Sequence, residues 1–177
     1  PVDGWPVAAD PADVLHPDAE AFASGDVTLD IGDGFIATVA VGDLDGDGQP
    51  DVVAASGQGQ LPAWHSDGQR VAGFPYWRLG REPDEFDGLH TYDQGFAGAP
   101  TLVDLDGDGT LEIILVGLDS RLYVVDHTGA DWGPYPIEVC YPGTDFWDFE
   151  DQMCGIEGHR SITSTLVADV DGDGDFE

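Results

Sequence analysis

The apolar residues of this chain fall in short runs separated by Gly, Asp, Ser and Pro, at positions 36–41, 52–55, 60–65, 100–103, 113–116 and 121–126. Runs this short, bounded by turn residues, predict β-strands. Leu111-Glu112-Ile113-Ile114-Leu115-Val116 is close to continuous and rich in β-branched residues, the pattern of an inner strand covered on both faces. Turn residues cluster at 56–59, 66–68, 117–120 and 127–129. Further upstream, 27–31 alternates as a strand does, and 11–24 has the composition of a short helical turn. No apolar run approaches the length of a membrane span.

The strand pattern repeats. Residues 34–75 align with 95–136 at an offset of 61 with no gap: Gly34-Phe35 with Gly95-Phe96, Leu61 with Leu122, Gly68 with Gly129, and Pro75 with Pro136. Each unit predicts two strands around an acidic loop, a third strand after a Gly/Ser/Asp turn, and a short fourth strand ending at an aromatic–Pro pair, Phe74-Pro75 or Tyr135-Pro136. Four short antiparallel strands per unit of this length make one propeller blade. The expected fold is therefore all-β, with two full blades at 34–75 and 95–136. Residues 1–33 hold the end of a preceding blade, marked by Trp5-Pro6, and a linker. Inserts occupy 76–94 and 137–159, and another blade opens over 160–177. Propellers close with several blades, so the chain reads as a segment of a larger propeller or as a subunit completed by neighbours. Its start at Pro1, without initiator Met or signal peptide, agrees with processing or with membership of something longer.

The acidic loops carry the candidate chemistry. They read Asp43-Leu44-Asp45-Gly46-Asp47-Gly48-Gln49-Pro50-Asp51, Asp104-Leu105-Asp106-Gly107-Asp108-Gly109-Thr110-Leu111-Glu112, and Asp169-Val170-Asp171-Gly172-Asp173-Gly174-Asp175-Phe176-Glu177. Carboxylates stand at positions 1, 3, 5 and 9 each time, and glycines at 4 and 6 allow positive-φ turns. Alternate side chains of so tight a loop converge, the backbone carbonyl of position 7 (Gln49, Thr110, Asp175) adds an oxygen, and the acid at position 9 closes the shell. Such an all-oxygen cage suits calcium, which takes six to eight oxygens at about 2.3–2.6 Å, better than magnesium with its strict octahedron. Soft metals are disfavoured because no Cys or His lies within the loops. An EF-hand is excluded, since position 12 is Ala54 or Leu115 where that motif needs a bidentate Glu. About three calcium sites are expected.

Formal net charge is −31, from 36 acids against 5 bases, and three divalent cations would offset only a small part of it. That balance argues against nucleic acid and anionic membranes as partners. The two cysteines, Cys140 and Cys154, sit in one Trp- and Asp-rich insert. An even count beside calcium loops favours a disulfide in an extracellular compartment, worth roughly 3 kcal/mol for so short a loop. Two buried thiols, or zinc held by both with His159, are the alternatives.

The segment Gly95-Phe96-Ala97-Gly98-Ala99-Pro100 followed by the 104–112 loop resembles the FG-GAP repeat, and 101–109 resembles the related VCBS repeat of bacterial secreted proteins. Both resemble blades of integrin-α-type calcium-binding β-propellers. Residues 36–38 depart from the Gly-Ala part of the motif, and the aromatic–Pro closure resembles quinoprotein blades. The resemblance implies a secreted or cell-surface module for adhesion, scaffolding or assembly, non-catalytic, with other blades or subunits as partners and protein or glycan ligands on inter-blade loops. Two further expectations lie in the inserts. One is a polysaccharide- or phosphoester-acting site using His90, Asp93, Glu157, His159 and Arg160. The other is glycan binding by Tyr76, Trp77, Tyr92, Tyr141, Phe146, Trp147 and Phe149.

Overall fold

A computed structural model describes residues 4, 5, 7, 35, 37–57, 59–77, 95–118, 121–139, 164–174 and 176. Nine strands run through them: β1 (Ala40–Gly42), β2 (Asp51–Val53), β3 (Gln60–Leu61), β4 (Ala63–His65), β5 (Tyr76–Trp77), β6 (Thr101–Val103), β7 (Glu112–Val116), β8 (Arg121–Val125) and β9 (Ile137–Glu138). The described residues contain no helix, and all pairings between the strands are antiparallel. The strand at 27–31 and the helical turn at 11–24 lie outside the described residues, as do most of the two inserts.

The second blade is one four-stranded sheet in the order β6-β7-β8-β9. In the first blade the third strand is split into β3 and β4, because Pro62 has no N–H to give the ladder. Its carbonyl still accepts from the Ala54 N–H at 3.1 Å, so the backbone continues through the gap. The two blades share one register: Ala40↔Val53 becomes Thr101↔Ile114, and Gln60↔Trp77 becomes Arg121↔Glu138. Both pairs obey the offset of 61 read from the sequence.

One boundary differs from the sequence reading. The fourth strand begins after the aromatic–Pro pair, at Tyr76 and Ile137, rather than ending at it. The segment before the pair turns back on the third strand and makes only single bridges, Trp64↔Arg70 and Val125↔Asp131. Proline cannot donate to a ladder, which leaves pairing to the residues beyond it. Tyr76 and Ile137 thus belong to blades, although the sequence places both in inserts. Tyr76 is correspondingly buried, where the sequence counts it among exposed aromatics, and its hydroxyl donates to Asp131 Oδ1 at 2.8 Å across the blade boundary.

A single apolar core spans both blades, with Leu44, Val53, Leu61 and Tyr76 from the first and Phe96, Ile113, Leu115, Tyr123 and Val125 from the second. Every residue of β7 is buried, as its near-continuous apolar run predicts. Tyr123 is fully buried and meets the rings of Phe96 and Tyr76 edge-on, at centroid distances of 5.2 and 6.4 Å. Each buried side chain of this size contributes about 1.5–3 kcal/mol by leaving water.

The blades approach closest where side chains are absent. Gly73, at φ +89°, packs so tightly that a Cβ there would stand 1.9 Å from the Thr128 carbonyl oxygen of the next blade. Gly4, at φ +88°, repeats the contact on the first blade, where a Cβ would stand 1.7 Å from the Asp67 oxygen. Beside it the Trp5 indole N–H donates to the Ser66 carbonyl at 2.8 Å. Residues 4–5 thus sit on the first blade as 73–74 sit on the second.

This contact has a measurable signature. Gly73→Ala combines a left-handed φ, costing about 1–3 kcal/mol, with a backbone clash that only separation of the blades relieves. Gly107→Ala carries the same type of φ (+76°) with nothing within 4 Å of the new Cβ, so only the conformational cost of about 1–2 kcal/mol applies. Urea unfolding should therefore show a clearly larger loss for Gly73→Ala; equal losses would deny that the contact holds the blades together.

Candidate metal-binding loops

The loops at 43–51 and 104–112 each join the first two strands of a blade, so their shape is set from both ends. Position 1 follows directly on the first strand and position 9 begins the second. Asp51 and Glu112, at position 9, are buried (0% and 2% exposed), a placement that charged groups adopt only when satisfied by partners. Asp51 Oδ2 accepts from the Leu44 N–H at 2.9 Å, and Glu112 Oε2 from the Leu105 N–H at 2.8 Å. Position 9 therefore clamps the backbone of position 2 in both blades. The Leu111 N–H, in turn, donates to the Leu44 carbonyl at 3.0 Å, tying the second loop to the first across the blade boundary.

Inside the loops the backbone N–H groups fold inward onto position 1. Asp104 Oδ1 accepts from Gly107 and Asp108, and its Oδ2 from Gly109. Asp169 repeats all three bonds with Gly172, Asp173 and Gly174. Asp43 Oδ2 accepts from Gly48. Positions 3 and 5 cap the next turn: Asp106 accepts from the Asp108 N–H, while Asp108 accepts from both the N–H and the hydroxyl of Thr110.

The structure brings together Asp43, Asp45 and Asp47, then Asp104, Asp106 and Asp108, then Asp169, Asp171 and Asp173, each set with carboxylate oxygens within 4.8 Å of one another. Oxygens on opposite sides of a calcium ion stand about 4.6–5.2 Å apart, so one ion fits inside each set. The donors are all hard oxygens, as an alkaline-earth cation requires. Asp43 Oδ1 adds a direct sign: it is buried and has no hydrogen-bond partner. Buried polar atoms normally have one, and a cation held by the triad would supply this oxygen with a partner.

Not every expected ligand joins these sets. Asp51 belongs to a separate group with Asp45 and His65. Glu112 Oε2 accepts from the Leu105 N–H, and its carboxylate is not in the triad of its own loop. Gln49 and Thr110 donate their N–H groups to the Asp at position 5, a bond that does not involve the backbone carbonyl expected as their ligand atom. Asp175 and Glu177 lie outside the described residues, as do Cys140 and Cys154, the zinc alternative with His159, and the candidates His90, Asp93, Glu157 and Arg160. Among the insert aromatics, Trp77 is described and is 40% exposed.

His65 is the residue that sequence reasoning missed. It lies far along the chain from Asp51, yet the β2–β4 register sets the two directly opposite each other. Its Nδ1 is 2.9 Å from Asp51 Oδ1. The available signal was the blade pairing itself, in which a residue at the end of the third strand faces position 9.

Charge crowding shows in the titration of the second loop. Burial raises the Glu112 carboxyl above its ordinary value; the Leu105 N–H lowers it, and the charges of Asp106, Asp108 and Asp104 push it further up. The exposed Asp108 is lowered, first by the Thr110 hydroxyl and then by its N–H.

Residues 43–115 match the sequence profile of the FG-GAP-like repeat family. The match begins at the first Asp of the first loop and ends inside β7, so it spans one complete loop-to-loop period. No curated protein matches the chain significantly. No helix among the described residues is long and apolar enough to cross a membrane.

The raised Glu112 fixes the sign of a pH effect in metal-free protein. A carboxyl whose folded value lies above its unfolded one makes folding bind a proton, so stability falls as pH rises from about 4.5 through the raised value. Asp108, being lowered, acts only below about 3.8. Metal-free protein should therefore melt at a higher temperature near pH 5 than at pH 7. Glu112→Gln, whose amide oxygen still accepts from Leu105, should remove part of that slope and raise the melting temperature at pH 7. An unchanged slope in the variant would show that Glu112 does not feel its neighbours.

Proposed function

We propose that this chain, which carries an FG-GAP-like repeat over residues 43–115, is a calcium-stabilised β-propeller module of a secreted or cell-surface protein. Its role is adhesion, scaffolding or assembly rather than catalysis. The observation that carries the reading is the recurrence of one acidic loop with its carboxylates converged, three times along the chain and at the same joint in both described blades. Convergent carboxylates repel one another in the absence of a counter-charge. A divalent cation turns that repulsion into a cross-link between the first two strands of a blade. Calcium fits the donor set, and its abundance outside cells agrees with an extracellular location.

The acidic surface supports the same role, since it disfavours nucleic acid and anionic membranes and leaves protein or glycan surfaces as partners. The loops are structural in this reading, and ligands are met by the inter-blade segments.

Thermal unfolding in calcium and in chelator, at moderate salt, tests the stabilisation. Each site held at one hundred times its Kd contributes about 2.7 kcal/mol, so chelation should lower the melting temperature by many degrees. Asp106→Asn should reverse sign between the two conditions: less stable than wild type in calcium, where a ligand charge is lost, and more stable in chelator, where repulsion is relieved. A melting temperature indifferent to chelator would end the calcium reading.

A further inference from the structure

The first loop differs from the other two in a way that changes which cation it selects. Asp45 belongs to two groups at once: the oxygen triad with Asp43 and Asp47, and a second group with Asp51 and His65, whose donor atoms also lie within 4.8 Å of one another. Among the described residues this is the only such group that contains a nitrogen donor. In the second blade the residue at the position of His65 is Asp126, which is occupied with its own turn, accepting from the Thr128 N–H and hydroxyl and from the Ala130 N–H.

We infer that the first loop holds a borderline divalent transition cation, of which Zn2+ is the test case, through Asp45, Asp51 and the imidazole of His65. The inference rests on the reading of the loops as cation sites, but it assigns this one a different metal. Two observations carry it. Imidazole nitrogen favours zinc and its neighbours in the first transition row, whereas calcium takes oxygen. The His65 Nδ1 to Asp51 Oδ1 separation is 2.9 Å. Two ligands about 2.0–2.1 Å from one ion lie about 2.9–3.4 Å apart for angles between 90° and tetrahedral, so the pair can hold a zinc-sized ion between them.

The site is also built and reachable. Asp51 is fully buried and held by the Leu44 N–H through its other oxygen, whereas His65 is 32% exposed. An ion can therefore enter from the imidazole side and take the place of the hydrogen bond between His65 Nδ1 and Asp51, with the neutral imidazole carrying its proton on Nε2. No redox chemistry is involved.

The experiment counts metals on the intact chain by native mass spectrometry after loading with zinc and calcium and dialysis against excess calcium. Two variants separate the imidazole from its hydrogen bond: His65→Gln, whose amide can still donate to Asp51, and His65→Asp, which installs the residue of the second blade. The wild type should retain one calcium-resistant zinc that both variants lose, with affinity down by about 10- to 100-fold or more and calcium counts unchanged. The His65 imidazole proton resonances should shift on zinc addition, a readout on the wild type that does not depend on either variant folding. Zinc counts equal in wild type and variants, or imidazole resonances indifferent to zinc, would overturn the inference. A His65-dependent zinc with no calcium bound by any form would uphold it while removing the calcium reading of the other loops.

Discussion

A carboxylate buried where the second strand of each blade begins, accepting the N–H of the second residue after the first strand, is the contact on which the other features of these blades depend. Asp51 and Glu112 make it in the two blades, at 2.9 and 2.8 Å. The bond closes the loop, and closing the loop brings three more carboxylates to one point. Leu44, fixed by the same bond, then presents its carbonyl to Leu111 of the next blade. Local chain geometry, electrostatics and blade packing are therefore set at one place. The penalty is the burial of a carboxylate, which raises Glu112 first, and then the repulsion of the neighbouring charges; a cation is the simplest remedy.

Blade packing follows a second rule, in which backbone meets backbone. At Gly73 the chain passes so near Thr128 that no side chain fits, and at Gly95 it passes Gly57 as closely. Around these points the aromatic rings of Tyr76, Phe96 and Tyr123 fill the space between blades. Glycines set the distance and aromatics fill what remains, so the core is continuous across the boundary. Such packing suits a repeat protein, where each unit gains most of its burial from its neighbour.

The repeat, the loops and the inner strands were legible in the sequence because each is a local pattern. An offset of 61 fixes the register of both blades, and the apolar run at 111–116 announces a strand buried along its whole length. The fourth strand was displaced in the reading because a two-residue edge pairing has no periodicity of its own, and the aromatic–Pro pair is the more conspicuous mark. His65 escapes the sequence for a different reason. Its approach to Asp51 is created by cross-strand register, and a loop-by-loop search for ligands cannot see a residue on another strand. Position 9 has a second use that spacing does not announce: in the second loop Glu112 Oε2 accepts from the backbone. A carboxylate can close a cage by ligation or by clamping the loop, and spacing alone does not separate the two.

The most direct test of the cation's role is amide hydrogen exchange at the clamped and inward-facing N–H groups, Leu44 and Gly48 in the first loop and Leu105 and Gly109 in the second, with and without calcium. If a cation completes the loops, calcium should slow exchange at Leu105 and Gly109 and extend protection into β6 and β7, because the loop joins those strands, and calcium or zinc should do the same at Leu44 and Gly48 and into β1 and β2. Equal exchange in calcium and chelator would mean that hydrogen bonds alone hold the loops, and would contradict a central role for the cation.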